Sequence, residues 1–242
     1  MIQLIQLQSL KKEFKGHTII NMLDFSLHKG ELMGLVGKSG EGKTTFLRIL
    51  IGFYKIDAGT IIFQGKDITK KPEQIIKHVG FCTQENSFYH ELTIQENMQF
   101  YGRLYGIRKH ELLQRIESLL KLVNLFERKE KLGGAISGGM KRRLDFAIAL
   151  LHQPDILILD EPTAGLDPVM TKDIWELIST INQKGTTVLV SSHELDNIER
   201  YCSKIAVLSK GKIVVKTIEE IHKRFKEKSL MDVFEQLVVL SD

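Results

Sequence analysis

The chain has 242 residues, and 43% of them are hydrophobic, which is enough to bury a full core. Its 34 basic and 30 acidic residues leave a net charge of +4, too small an excess to indicate a nucleic-acid-binding protein. The N-terminus lacks a signal-peptide pattern and no apolar run reaches the roughly 18 residues that span a bilayer, so we expect a soluble, cytoplasmic protein. Cys82 and Cys202 are far apart in the sequence, and we expect two free, buried thiols.

The N-terminal part of the chain is predicted to form antiparallel strands. Residues 2–7, 19–27 and 61–63 contain alternating apolar residues, the two-residue period of a strand. Turns are predicted at Lys15-Gly16 and at two further glycine-containing segments, residues 28–30 and 57–59. The sequence therefore predicts a β-rich flank with short connections.

A glycine-rich loop follows the next predicted strand. Residues 32–36 are typical of a buried strand, and residues 44–51 of a helix. The loop between them fits the pattern glycine, four residues, glycine, lysine, then serine or threonine; its residues are Gly37, Lys38, Ser39, Gly40, Glu41, Gly42, Lys43, Thr44 and Thr45. The glycines let backbone amides point at phosphate oxygens, Lys43 would neutralise phosphate charge, and Thr44 would ligate magnesium. We therefore predict a nucleotide phosphate site in this loop.

The middle of the chain is predicted to be helical. Between residues 92 and 125, apolar residues recur at three- and four-residue spacing. We expect this segment to be an insert between two parts of the sheet, with the aromatic residues Phe100, Tyr101 and Tyr105 in the core.

Two more buried strands are predicted beyond the helical insert, at residues 156–159 and 187–191. A helix at residues 169–183 separates them and ends before Gly185. Alternating strands and helices predict a parallel sheet that is covered on both faces.

Two acidic residues follow the strand at residues 156–159. Asp160 is placed to hold magnesium, directly or through water, and Glu161 can polarise an attacking water. An ordinary solvated strand end is the alternative for an isolated Asp-Glu pair. The next residues, Pro162-Thr163-Ala164-Gly165-Leu166-Asp167, favour the functional interpretation.

Several short motifs together resemble those of ATP-binding cassette (ABC) ATPases. Ser137-Gly138-Gly139 resembles the signature, Asp160-Glu161-Pro162-Thr163 the Walker B motif, Gly165-Leu166-Asp167 the D-loop and Ser192-His193 the switch histidine. The resemblance covers roughly residues 2–215.

The resemblance implies an α/β fold: a P-loop NTPase core with a mainly parallel sheet, an antiparallel β subdomain and an α-helical subdomain. A single ABC ATPase domain would span residues 1–242. Within it, residues 1–85 and 155–215 would form the ATP-binding core with the β subdomain, residues 86–154 the helical and signature subdomain, and residues 216–242 a short helical tail.

The resemblance also assigns roles around ATP and Mg²⁺. Glu161 would be the general base, His193 would hold the γ-phosphate, and Gln84 would sense magnesium and water. Phe14 would stack on adenine.

A second ATPase subunit, expected to be an identical chain, is also implied by the resemblance. Ser137, Gly138 and Gly139 would contact the partner's ATP and Asp167 the partner itself, in a head-to-tail dimer with two ATPs.

The signature ends unusually, in Met140 followed by Lys141-Arg142-Arg143-Leu144. This ending and the segment at residues 229–237 are similar to the corresponding segments in the ATPases of ABC-2-type exporters. We expect the three basic residues to lie on a solvated or interface-facing side of a helix and not to bind nucleic acid.

Two functions remain open at this point. In the first, the chain energises an exporter from the cytoplasmic face of the membrane, where the helical insert and the Gln84 loop receive a separate transmembrane permease. In the second, it is a soluble cassette ATPase that acts on ribosomes or DNA; the tandem cassettes or long coiled-coil insertions usual in such proteins do not occur in this sequence. A GTPase is disfavoured because the sequence has no Asn/Thr-Lys-x-Asp base-recognition element.

Overall fold

The computed structural model describes residues 2–225, 229–230, 233–234 and 236. The segment at residues 229–237 therefore falls partly outside the described residues, and so does much of the predicted helical tail at residues 216–242. Within the described ranges, no helix combines the length and the hydropathy that crossing a bilayer requires.

The strands of the described residues form two sheets. They are β1 (Gln3–Phe14), β2 (His17–His28), β3 (Leu32–Val36), β4 (Ala58–Phe63), β5 (Lys66–Asp67), β6 (Val79–Cys82), β7 (Ile156–Asp160), β8 (Thr187–Ser191), β9 (Lys204–Ser209) and β10 (Lys212–Thr217). The smaller sheet is antiparallel, in the order β2-β1-β4-β5. The larger has the order β10-β9-β3-β8-β7-β6 and is parallel except for the β9–β10 hairpin.

Helices connect the strands of the larger sheet. They are α1 (Lys43–Leu50), α2 (Ile94–Leu104), α3 (Lys109–Leu122), α4 (Gly138–Leu150), α5 (Pro168–Gln183), α6 (Leu195–Tyr201) and α7 (Ile218–Phe225). Short 3₁₀ segments lie at Pro72–His78, Phe126–Arg128 and Gly133–Ala135. The predicted helical insert thus contains two helices, α2 and α3, which pack on α4.

The larger sheet has a hydrophobic core on each face. In β7, Leu157 and Leu159 pack with residues of the helices α2 to α6, whereas Ile156 and Ile158 pack with α1 and the antiparallel sheet. All five residues of β7 are buried, as expected for a parallel strand covered on both sides. The predicted P-loop NTPase fold, with its parallel sheet and antiparallel flank, is confirmed.

The antiparallel strands are longer than the alternation of apolar residues indicates. β1 and β2 each have 12 residues. Register shifts on both sides of Leu10 and left-handed backbone at Ser9 and Met22, with φ of 48° and 52°, interrupt the two-residue period. Alternation is therefore visible in only part of each strand.

The turn predicted at residues 57–59 is wrong in part, because Ala58 and Gly59 belong to β4. Gly59 has φ of +99°, and a Cβ at this position would lie 2.6 Å from the carbonyl oxygens of Gln8 and Ser9. Glycine here permits the close approach of two strands at a bulge instead of ending one of them.

The periodicity predicted three aromatic residues in the core, Phe100 and Tyr101 of α2 and Tyr105 directly after it, and this prediction is wrong in part. Phe100 and Tyr105 are exposed, with 36% and 43% of their surface accessible, and Tyr101 is half-buried. Phe100 and Tyr101 pack against Tyr89, which is itself exposed. The helical spacing predicted that these aromatic residues share one side of the helix. It could not show whether that side faces the core or lies on the surface.

Both cysteines are free and buried, as expected. Burial raises the pKa of the Cys82 and Cys202 thiols well above their ordinary value, so neither is a thiolate nucleophile at neutral pH.

Candidate functional site

A cleft of about 650 Å³ opens at the carboxyl ends of β3, β7 and β8. Its lining residues are Val36, Gly37, Lys38, Ser39, Gly40, Gly42, Lys43, Thr44, Thr45, Gln84, Asp160, Glu161, Ala164, Ser192, His193, Leu195 and Phe234. This edge is where ligands bind in open α/β sheets, because the loops after parallel strands converge there. Twelve of these residues are also candidates from the sequence motifs.

The phosphate loop forms one wall of the cleft and ends at the N-terminus of α1. Gly40 and Gly42 have φ of +85° and +95°, and a Cβ at Gly40 would have no atom within 4 Å. The Nζ of Lys43 donates to the carbonyl oxygen of Gly37 at 2.7 Å, which holds the ammonium group across the loop. Backbone amides, a helix N-terminus and a lysine together make a site for polyphosphate.

Glu41 is the one residue of the predicted phosphate loop, Gly37 to Thr45, that does not line the cleft. Its Oε2 accepts a hydrogen bond from the backbone N–H of Lys210 at 2.6 Å. The side chain therefore ties the loop to the β9–β10 turn.

Thr44 and Asp160 meet on the floor of the cleft. Thr44 Oγ1 donates to Asp160 Oδ2 at 2.9 Å, and Ser191 Oγ donates to Asp160 Oδ1 at 2.6 Å. A hydroxyl and a carboxylate are oxygen ligands of the kind that magnesium takes. Within the described ranges, no three His, Cys, Asp or Glu side chains are grouped so that they could hold a metal ion.

Glu161 has a left-handed backbone, with φ of +49°. Its N–H donates to Ser191 Oγ at 2.9 Å and to the Ser191 carbonyl oxygen, and these bonds hold the strained conformation. The Glu161 Oε2 lies 2.9 Å from Nδ1 of His193. The structure thus brings the predicted base and the predicted switch histidine together at the mouth of the cleft.

Gln84 lines the cleft, and its loop is held from behind by α4. Arg142 donates from Nη1 to the Thr83 carbonyl oxygen at 2.6 Å and from Nη2 to that of Gln84 at 2.9 Å. Asp145, one turn further along α4, accepts from the N–H of Ser87 at 3.0 Å and from its hydroxyl at 2.9 Å. Burial raises the pKa of the Asp145 carboxyl above its ordinary value.

The expectation that residues 141–143 lie on a solvated or interface-facing side is wrong for Arg142, which is buried. The half-buried Arg143 pairs with Asp173 of α5 at 3.1 Å. Arginine suits the buried position 142 because its planar guanidinium group can donate to the Thr83 and Gln84 carbonyl groups at once. Arg142 and Arg143 therefore contribute to packing within the chain.

The signature residues lie outside the cleft. Ser137 is the N-cap of α4, and it and Gly138 are exposed, whereas Gly139 packs against Met170. Asp167 is also exposed and caps α5, because its Oδ1 accepts from the N–H groups of Val169 and Met170 at 2.9 Å and 3.0 Å. The chain thus presents two helix N-termini on its surface.

Phe14, the predicted adenine platform, does not line the cleft. Its ring packs edge-on against Tyr54, with centroids 5.1 Å apart, and the Nζ of Lys12 lies 5.0 Å above the ring. With 37% of its surface exposed, Phe14 is outside the main core and open to solvent.

Several residues of the cleft were not predicted from the motifs. Ser191 contacts both acidic residues, and Ala164, Ser192, Leu195 and Phe234 line the cleft. Ser192 belongs to the Ser192-His193 motif but was given no role of its own, and the polar run from Ser191, the last residue of β8, to Glu194 is a signal that could have identified both serines. Phe234 is remote in sequence, and nothing near it indicates a site.

Known proteins with related sequences are ATP-binding subunits of transporters. The sequence profile of the family described as ABC transporter matches residues 20–164. The linearmycin resistance ATP-binding protein LnrL of Bacillus subtilis is 36% identical over 211 residues, which are 87% of this chain and 68% of that protein. The Nod factor export ATP-binding protein I of Cupriavidus metallidurans is 34% identical over 88% of this chain and 70% of its own length.

Solved structures have the same fold. An ATP-binding subunit of an ABC transporter superposes with a TM-score of 0.84 at 27% identity, over 97% of this chain and 99% of that one. The cbiO1 protein of Clostridium perfringens reaches a TM-score of 0.86 at 24% identity, over 100% of this chain and 98% of its own, a likeness of fold alone. With its phosphate loop, acidic strand end and signature in place, this chain belongs to the ABC transporter family and is one of its ATP-binding, ATP-hydrolysing subunits.

Proposed function

We propose that this chain hydrolyses ATP to energise a membrane exporter, as half of a head-to-tail dimer bound to a separate permease on the cytoplasmic face. The export assignment is supported by the Nod factor export relatives and by the Met140 ending of the signature. The observation that carries the dimer is the position of Ser137 and Gly138, exposed at a helix N-terminus and outside the cleft.

ATP would bind in the cleft with its phosphates on the loop from Gly37 to Thr45. Lys43 would exchange its contact with the Gly37 carbonyl for the terminal phosphates. Thr44, Asp160 and Gln84 would hold Mg²⁺, which when bound would neutralise charge on the phosphates. This fit is supported by the hydroxyl and the carboxylate that meet on the cleft floor.

Glu161 would accept the proton of the attacking water. His193 now shares a hydrogen bond with that carboxylate. Because an ionised carboxylate only accepts, this hydrogen bond requires the proton on Nδ1, and in that tautomer a neutral ring can donate to a phosphate only through Nδ1–H, after it turns away from Glu161. His193 has 71% of its side chain exposed, which leaves it room to turn.

A second copy of the chain would complete each ATP site. The start of α4 is exposed at Ser137 and Gly138 and carries the positive end of the helix dipole, which suits a γ-phosphate. Because Ser137 does not line its own cleft, the phosphate that it contacts would lie on the partner subunit. Asp167 would contact that subunit from the N-terminus of α5.

The permease would dock on the aromatic surface formed by Tyr89, Phe100, Tyr101 and Tyr105. Exposed aromatic side chains are typical anchors of protein interfaces. The surface also continues into the Gln84 loop, because the Tyr101 hydroxyl donates to the Ser87 carbonyl oxygen. An amphipathic helix of the permease bound there would contact the loop that carries Gln84.

Replacing Phe14 with alanine should weaken ATP binding by about 0.5–1.5 kcal/mol if the ring stacks on adenine. Titration with a fluorescent ATP analogue measures the difference. Phe100→Ala is the matched control, since Phe100 is equally exposed but lies on α2. Equal affinity in Phe14→Ala and wild type would return Phe14 to a purely structural role beside Tyr54.

Glu161→Gln should bind ATP normally and lower kcat by about 10²- to 10⁴-fold, because the amide cannot accept a proton from water. Steady-state ATPase assays measure the loss, with the exposed Glu130→Gln as control. Hydrolysis near the wild-type rate would mean that another group is the base.

Ser137→Arg should leave ATP binding to the monomer intact and prevent dimer closure, because a bulky cation would replace the cap at the interface. Gel filtration with ATP in the Glu161→Gln background reads the dimer fraction. Ser118→Arg places the same side chain on the exposed surface of α3 and should dimerise normally. A Ser137→Arg chain that still dimerises with ATP would contradict the composite site.

The tagged chain should retain an integral membrane protein with apolar spans of about 20 residues when it is purified from a detergent extract. Phe100→Asp should release that partner, since a charge would be buried at the aromatic surface, whereas Phe53→Asp, also exposed, should not. Mass spectrometry identifies the partner. Retention of ribosomal proteins instead would favour the soluble-ATPase alternative.

A further inference from the structure

Glu194 directly follows the switch histidine, and its carboxylate joins three parts of the chain. Its Oε2 accepts hydrogen bonds from Thr163 Oγ1 at 2.9 Å, from Trp175 Nε1 at 3.2 Å and from Asn197 Nδ2 at 3.0 Å. These donors belong to the loop after Glu161, to α5 and to α6. No sequence motif had marked Glu194.

Two of the three donors are buried. Thr163 is 3% exposed and Trp175 is fully buried, so neither side chain can turn to water for another acceptor. A buried donor left without an acceptor destabilises the folded chain, and hydrogen bonds to a carboxylate are stronger than those between neutral groups. The carboxylate therefore holds Thr163 and Trp175 firmly to the start of α6.

Two contacts link the segment that contains Glu161 to the segment that contains His193, and Glu194 makes one of them. Glu161 contacts His193, and two residues further along, Thr163 contacts Glu194. The Glu194 N–H donates to the hydroxyl of the fully buried Ser192 at 3.0 Å, so the backbone on both sides of His193 is fixed. His193 itself is exposed, and within the part of the chain that the structure describes its ring has one hydrogen-bond partner, the Glu161 carboxylate.

We propose that Glu194 is a positioning residue for ATP hydrolysis. It fixes the distance between the backbone at His193 and the loop after Glu161. The Glu161 carboxylate and the His193 imidazole would therefore reach the γ-phosphate together. The proposal rests on the roles proposed above for Glu161 and His193. Glu194 does not touch the nucleotide and acts through its neighbours.

The test compares Glu194→Ala with Glu194→Gln, which keeps an acceptor oxygen in place. Glu199→Ala is the control, because Glu199 lies on α6, which Glu194 precedes, and accepts hydrogen bonds from His222 and Leu230 instead of Thr163 and Trp175. ATP-binding sites are counted with a fluorescent ATP analogue, and kcat is expressed for each site. Trp175, the only tryptophan of the chain, reports directly on the contact through its fluorescence emission.

Glu194→Ala should lower kcat for each ATP-binding site by about 10- to 100-fold, because small displacements of catalytic groups have effects of this size. KM should stay within about twofold, since phosphate-loop contacts are untouched. Trp175 emission should shift in Glu194→Ala, and Glu194→Gln should recover most of both kcat and the emission. Glu199→Ala should resemble wild type.

A purely structural role would lower the melting temperature and the number of ATP-binding sites together while each remaining site kept a normal kcat. That outcome would overturn the proposal, as would a Glu194→Gln variant as impaired as Glu194→Ala. Failure of the role proposed for Glu161 can be distinguished from failure of the role proposed for Glu194. It would appear as near-wild-type ATP hydrolysis by Glu161→Gln, whatever the result for Glu194→Ala.

Discussion

The geometry of the cleft depends on one buried hydroxyl, that of Ser191. β7 and β8 are parallel neighbours in which Asp160 lies opposite Ser191, so their ends bring the two side chains together. The Ser191 hydroxyl donates to one oxygen of Asp160, which leaves the other for Thr44. It also accepts from the N–H of Glu161 and so holds a backbone conformation that non-glycine residues rarely adopt. The strand register therefore determines where both acidic side chains point.

Helix α4 connects the exposed part of the site to its buried part. It has 13 residues and begins at the signature; Arg142 and Asp145, about one and two turns later, hold the Gln84 loop through four hydrogen bonds. A helix transmits displacement as a rigid unit, and these bonds leave the loop little freedom to move separately. In the proposed complex, a permease that displaced the Gln84 loop would also displace Ser137, and the two sites would respond together.

Much of this arrangement can be predicted from the sequence, because strict local patterns carry it. The phosphate loop, the acidic strand end and the strand alternation each occupy a few adjacent residues. The predictions that were wrong needed long-range information: Arg142 is buried because distant carbonyls require a donor, and Gly59 lies in a strand because Gln8 passes beside it. Neither neighbour can be deduced from local spacing. The prediction that Phe100 lies in the core was wrong for another reason, since helical periodicity identifies one side of α2 but not what covers that side.

The residues of the proposed ATP site fall into a buried group in the cleft and an exposed group at two helix ends. Asp160 and Ser191 are buried, and their partners lie within the chain, so an isolated subunit can preform the acidic floor. Ser137 and Asp167 instead cap exposed helix ends, where a helix dipole is screened by water and attracts an anion only weakly. Closure of the proposed dimer would exclude that water and strengthen the attraction. In the proposed dimer, the half of the site that needs a low dielectric would thus be the half that the second subunit buries, and hydrolysis would depend on closure.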